Sequence, residues 1–435
     1  MEDGVFLGPA PRRCAFILRV LLATAVAALS ATCKYGEVVV VEPAATGHGA
    51  LRLSIQPDGE DAAVARELGW TSGIPGAEVT ITAGGGDTAV GPPLATLVTD
   101  SGAQVSVPDL PDGKYFVQVH RLLTPAETAR LAAGEDVVGF MAQAVVDRGS
   151  TTVYVPASHR RSIVISEWSF FPEAIPNVGG YEYGGYLELT NNSDTTVYLD
   201  GLVIGEAYGQ AEDDPRSPCA TTEYLSNDPD GVWARRFDSL PGAGHTYPLA
   251  PGASAVVATD AIDHSQVSPE GVDLSHADFE SIGSADVDNP GVPNTVTIGP
   301  LPWYGEHGLL FFDQLAEVVF VALPVDTAAL PKQYGPRTAW PYDRVPRAKI
   351  LDVVALLSTW SAFTYPFCPQ LVHSNFDRYR ARLMTSHVDD EGNAGRWSIQ
   401  RKVAYTRADG RKILQATRNS AADLFLGLRT PFRVP

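Results

Sequence analysis

The chain has 435 residues, including 40 glycines and 33 prolines, and 45% of its residues are hydrophobic. That length gives room for two or three domains, and this Gly/Pro content beside an ordinary apolar fraction favours many short strands over long helices or disorder. A formal net charge of −19 excludes general electrostatic attraction to nucleic acid or anionic lipid as a mode of action.

Residues 1–33 read as an export signal. Arg12, Arg13 and Arg19 flank or enter an apolar run whose core, Val20–Leu29, has signal-peptide length and is short for a membrane span. The run ends at Leu29-Ser30-Ala31-Thr32-Cys33, which resembles the lipobox of bacterial lipoproteins, although Ser30 and Thr32 depart from the usual residues. That resemblance implies lipidation of Cys33 and a place in the bacterial cell envelope, as an outer-membrane lipoprotein. Plain secretion is the alternative. Residues 34–49 then form the tether. Cys14 falls inside the signal, which leaves Cys219 and Cys368 in Pro-flanked loops. In an oxidising compartment they form either a disulfide or two buried thiols.

Residues 50–158 carry the signs of a first β-sandwich. Leu51, Leu53 and Ile55 alternate, Glu78–Thr82 and Gln104–Val107 are strands, and turns fall at Ile74–Ala77, Asp100–Gly102 and Pro108–Gly113. Gly76-Ala77-Glu78-Val79, Thr99-Asp100-Ser101-Gly102 and Leu110-Pro111-Asp112-Gly113-Lys114-Tyr115 resemble the recurring pieces of the carboxypeptidase-regulatory-like, or prealbumin-like, sandwich. Thr124-Pro125-Ala126-Glu127 predicts one capped helix, running on through Ala133. His159-Arg160-Arg161 reads as a short polar link, so the two bodies should abut.

Residues 162–435 read as a second sandwich. Ser162–Trp168, Tyr186–Thr190 and Val197–Ile204 alternate, which puts Ile163, Ile165, Leu187, Leu189, Val197 and Leu199 on buried faces. Asn191–Asp194 is a tight turn, and residues 209–244 read as a long insertion. Ile163-Val164-Ile165-Ser166-Glu167, Tyr186-Leu187-Glu188-Leu189-Thr190-Asn191 and Leu199-Asp200-Gly201 resemble the lamin-tail domain, an immunoglobulin-like sandwich. Asp260–His264, Asp273–Glu280, Asp286–Pro290, Ser398–Lys402 and Gly410–Ser420 resemble an elaborated bacterial version, domain of unknown function 4876. The expected fold is thus all-β: two immunoglobulin-like β-sandwiches, the second a lamin-tail-like domain with long loops. That family has no assigned activity, so the resemblance implies no catalytic residue.

The chemistry is sparse. Asp286, Asp288 and Asn289 place alternate oxygens on one loop, as Ca²⁺ sites do, but without the EF-hand glycine and terminal Glu; turns capped by their own side chains are the other reading. Trp168, Phe170, Phe171, Tyr181 and Tyr183 gather around Gly-rich turns, where rings either face a glycan or protein ligand or cover the end of the sandwich. The sequence shows no G-x-S-x-G elbow, no G-x-G-x-x-G loop and no His pair at zinc spacing. The expectation is a non-enzymatic envelope protein with a binding, adhesion or scaffolding role and no cofactor unless the Asp loops take Ca²⁺. A secreted glycan- or calcium-binding adhesin is the alternative, and a hydrolase with a non-contiguous site is the less favoured one.

Overall fold

Alternating apolar residues become strands throughout the computed structural model, which describes residues 47–85, 88–132, 136–169, 173–175, 179–181, 183–207, 225, 228–281, 288–300, 318–334, 341–357, 372–378, 381–382 and 395–432. The described strands all fall in the compact unit His48–Pro435. Cys33, Cys219, Cys368, Phe170, Phe171 and Asp286 lie outside the described residues.

Eight strands build the first body: β1 (His48–Pro57), β2 (Glu78–Gly85), β3 (Thr88–Val98), β4 (Gln104–Pro111), β5 (Lys114–Leu122), β6 (Val137–Asp147), β7 (Ser150–Val155) and β8 (Ala157–His159). They form a sheet of order β4-β1-β7 and a sheet of order β3-β2-β5-β6-β8. Leu51, Leu53, Ile55, Val79, Ile81, Val117 and Val119 meet between the sheets in one buried cluster. The Asp100 turn closes as its residues dictate: its carboxylate accepts the Gly102 and Gln104 N–H groups, both at 2.9 Å. The Thr124–Glu127 capping box is present, yet the helix stops at Thr128. A helix the periodicity did not mark, Ala62–Glu67, buries Ala65 in the same core. Strand β4 runs on to Pro111, through most of the turn expected at Pro108–Gly113.

The second body begins with β9 (Ile163–Ser169), β10 (Glu173–Ile175), β11 (Gly179–Tyr181), β12 (Tyr186–Asn191), β13 (Val197–Tyr198), β14 (Val203–Ala207) and β15 (Gly231–Ser239). It continues through β16 (Pro248–Leu249), β17 (Ser254–Ala258), β18 (Phe279–Glu280), β19 (Val296–Thr297), β20 (Val318–Ala322), β21 (Lys332–Tyr334) and β22 (Pro341–Pro346). The last strands are β23 (Ile350–Leu357), β24 (Ala381–Arg382), β25 (Trp397–Arg401), β26 (Val403–Thr406), β27 (Lys412–Leu414) and β28 (Leu424–Leu428). One large sheet has the order β18-β17-β12-β9-β25-β28, the other β21-β22-β15-β14-β20-β23-β24 with β19 beside β15. Ile163, Ile165, Leu187, Leu189, Ile204, Val319, Val321 and Val354 fill the space between them.

Two expectations change here. The stretch 209–244 is more than an insertion, because its nine-residue β15 is a central strand flanked by β14 and β22. Val197–Ile204 is two strands rather than one. Leu199-Asp200-Gly201-Leu202 turns between them, with Gly201 at φ 70°. The Asp200 carboxylate accepts backbone N–H groups from Gly244 (2.9 Å), Thr246 (2.8 Å) and Tyr247 (2.9 Å). Burial alone would raise the Asp200 pKa, but these amides outweigh it and hold the carboxyl well below its usual range. Asp200→Ala leaves three amides to find new partners and is expected to cost about 1–3 kcal/mol in urea unfolding.

The two bodies meet in a packed seam, and His159 of the short link is buried within it. His159 is 3% exposed. Its N–H donates to Ala416 O at 2.9 Å, and its Nδ1 lies 2.7 Å from Asp136. The Arg418 guanidinium sits 2.6 Å from both ring nitrogens. Gln118 and Gln143 of the first body donate to Val403 O at 2.9 and 2.6 Å. Arg378 grips buried Asp61 through two bonds, 2.8 and 2.6 Å. Burial pushes the His159 ring down from 6.5 to about 4, with the neighbouring arginines adding to the effect and Asp136 opposing it. A histidine held neutral in the folded state stabilises above its unfolded pKa, and that contribution is lost as pH falls from 6.5 toward 4. His159→Gln should flatten an acid-side stability loss of about 3 kcal/mol, read from urea midpoints across that window.

Candidate functional site

Strands with one wet face should expose their polar alternates. Here β9 and β12 are buried on both faces, polar residues included. The covering layer is a second apolar cluster, in which Tyr186, Val256 and Ala258 pack on Ala261, Leu274, Ala277 and Val292.

Two carboxyl groups are enclosed beneath it. Glu167 (4% exposed) and Glu188 (1%) stand directly opposite across β9 and β12. A register shift follows Glu188, so that Leu189 pairs with Ile165. The resulting bulge lets Ser166 as well as Glu167 reach Glu188. Five donors converge on Glu167. Its Oε1 accepts from Tyr186 OH, Ser398 Oγ (2.6 Å), Gln400 Nε2 (3.3 Å) and Thr430 N–H (2.8 Å), and its Oε2 accepts from Thr430 Oγ1 (2.9 Å). Glu188 Oε1 accepts from Ser166 Oγ at 3.0 Å, and its Oε2 is buried outside hydrogen-bond geometry. Burial, with Glu167 beside it, pushes Glu188 up to about 7, against the Ser166 and Ser254 hydroxyls and the Phe432 N–H. Burial and Glu167 likewise raise the Tyr186 phenol. The Arg429 guanidinium lies 5.5 Å from the Tyr186 ring centre.

These glutamates occupy the fifth position of the Ile163–Glu167 piece and the third of the Tyr186–Asn191 piece. Alternation puts Glu188 on the face away from Leu187 and Leu189, but Glu167 on the face of Ile163 and Ile165; the register shift after Glu188 is what brings Glu167 opposite it. The available signal was that the two acidic positions fall opposite one another once the strands pair.

An open cleft of about 520 Å³ lies one turn away, lined by Thr190, Asp194, Gly252, Asp409, Arg411 and Lys412 among others. Its charges are largely spent on one another: Arg407 and Arg411 both reach Asp194 and hold that carboxyl below its usual range. Arg411 also donates to Ser193 O at 2.6 Å.

The predicted site residues are scattered. Trp168 is 0% exposed inside the inter-sheet core, which corrects its reading as a ring offered to a ligand. Tyr181 ends β11, and Tyr183 is half-buried in the following turn. Asp288 accepts from Asn294 Nδ2 at 2.7 Å. Asn289 donates to Ala261 O at 2.8 Å, and its Oδ1 accepts the Gly291 N–H at 3.0 Å. Asn289 therefore ties its own turn to the Ala261 loop.

Residues 250–321 match the family described as "Protein of unknown function (DUF4876)". A crystal structure of a DUF4876 family protein from Bacteroides thetaiotaomicron VPI-5482 is similar at 16% identity, covering 89% of this chain and 98% of that one, with a TM-score of 0.46. No curated protein matches the sequence. The matched segment spans β17, β18, β19 and β20, and so contributes strands to both large sheets of the second body.

Proposed function

We propose that this protein is a non-enzymatic scaffold of the bacterial cell envelope, held by a lipid on Cys33, whose two joined sandwiches present a surface to a protein or glycan. The observation that carries this reading is the use of the buried polar groups. Asp61, Arg378, His159, Glu167 and Arg401 all join strands or bodies that are far apart in the chain. Such groups make a rigid platform, and rigid platforms suit presentation of a surface. The resemblances to lamin-tail and carboxypeptidase-regulatory-like modules fit accessory rather than catalytic use.

Two measurements test it. Cys33→Ala should move the protein from the membrane to the soluble fraction and abolish labelling with a radioactive fatty acid. Glycan arrays, run with and without chelator beside a panel of generic esterase, glycosidase and peptidase substrates, should give binding without turnover. Saturable turnover by the purified chain would sink the non-enzymatic reading, and chelator-sensitive binding would assign the Asp loops to Ca²⁺.

A further inference from the structure

The last described residues, 428–432, cross the enclosed glutamates as a strap. Thr430 gives Glu167 two of its five hydrogen bonds, and Gln400, which also reaches Glu167, donates to Leu428 O at 2.6 Å. Arg429 caps Tyr186 and donates to Gly395 O at 2.8 Å and to Gly184 O. Phe432 sits at φ 65°, a left-handed backbone conformation that a bulky side chain adopts only under constraint. The strap is thus fastened at its middle and strained at its end.

We propose that Glu167 and Glu188 hold one proton between them and that this proton is the catch of the strap: residues 428–432 seat while Glu188 is neutral and loosen when it ionises. The geometry requires a single negative charge. Two carboxylates directly opposite on neighbouring strands, both under 5% exposed, cannot both ionise without expelling each other or admitting water. Five donors converge on Glu167 against one on Glu188 Oε1, and that asymmetry places the proton on Glu188. The groups facing the pair are Ser166 from β9, Tyr186 from β12, Ser398 and Gln400 from β25, Ser254 from β17, and Thr430, Arg429 and the Phe432 N–H from the strap; the Phe432 N–H favours the ionised Glu188, but burial and Glu167 outweigh it. Behind Arg429 lies His264, which burial holds below its ordinary pKa. Arg429 is therefore the cation at hand, and it lies over the Tyr186 ring.

The sign follows from the raised pKa. A carboxyl that binds its proton more tightly in the seated state favours seating at low pH and progressively less as pH rises to its seated value. Strap opening should grow by up to about tenfold per pH unit from the ordinary carboxyl range to about 7, then level off.

Hydrogen exchange of residues 424–432 in the full chain, corrected for intrinsic rate, reads the opening equilibrium from pH 4.5 to 8.5. The wild type should show the rise and the plateau. Glu188→Gln should give low, pH-independent opening. Glu167→Gln should move the plateau to lower pH, because the neighbouring charge is gone, and it serves if Glu188→Gln does not fold. Opening that is the same at pH 5 and pH 7.5 in the wild type, or a rise that survives intact in either variant, overturns the proposal.

Discussion

Arg401→Met is expected to lower stability by about 3–5 kcal/mol. The Arg401 side chain is 2% exposed. Its guanidinium donates to Ile165 O (2.8 Å), Gln415 O (2.8 Å) and Asp352 (2.5 Å), with Asp423 at 3.5 Å. Asp352 also accepts the Ile165 N–H at 2.9 Å. One cation therefore pins β9, β23 and the chain after β27 together. Burial raises Asp423 and, together with the charges of Asp423 and Asp352, raises Asp377 well above the carboxylate range. Methionine fills much of the arginine's volume but strands buried carboxylates without a cation. The double variant Arg401→Met/Asp352→Leu should recover much of the loss, since a buried ion pair is often replaceable by apolar residues of similar size. Urea unfolding of the four-member cycle measures it. A single-variant loss below about 1 kcal/mol would show that water reaches the cluster.

Trp168→Ala is expected to cost about 3–5 kcal/mol, because it empties the largest fully buried side chain from the inter-sheet core. Trp168→Phe should cost less, leaving a smaller void. A ring that served a ligand from the surface would behave in the opposite way, losing binding while thermal stability held. Calorimetry beside glycan binding of the same variant separates the two.

Much of the fold is legible in the residues. Ile163, Ile165, Leu187 and Leu189 sit where alternation places them, and the Asp100 and Asn191 turns close through their own side chains. What alternation misses is the second buried face. Period two says which residues share a side, not whether that side is wet. Glu188 falls by alternation on the face away from Leu187 and Leu189, and Ala261, Leu274, Ala277 and Val292 keep that face dry; Glu167 meets it there only because a register shift breaks the period after Ile165. Strand β15 was missed for a related reason. With both faces buried it reads Gly-Val-Trp-Ala-Arg-Arg-Phe-Asp-Ser, and Arg235, Arg236 and Asp238 hide the period. Trp168 failed as a site because an aromatic beside glycines has the same sequence context in a core as on a rim.

The seam has a consequence for biogenesis. The hairpin β26–β27 supplies Val403 O and Ala404 O to Gln118, and Val403 O to Gln143, about 260–285 residues earlier in the chain. A polypeptide that emerges amino end first must present its opening sandwich unfinished until its final quarter has followed. Chains stalled or clipped before residue 400 should be protease-sensitive at the seam face of the opening sandwich, and the intact molecule should melt in a single cooperative step despite its two cores.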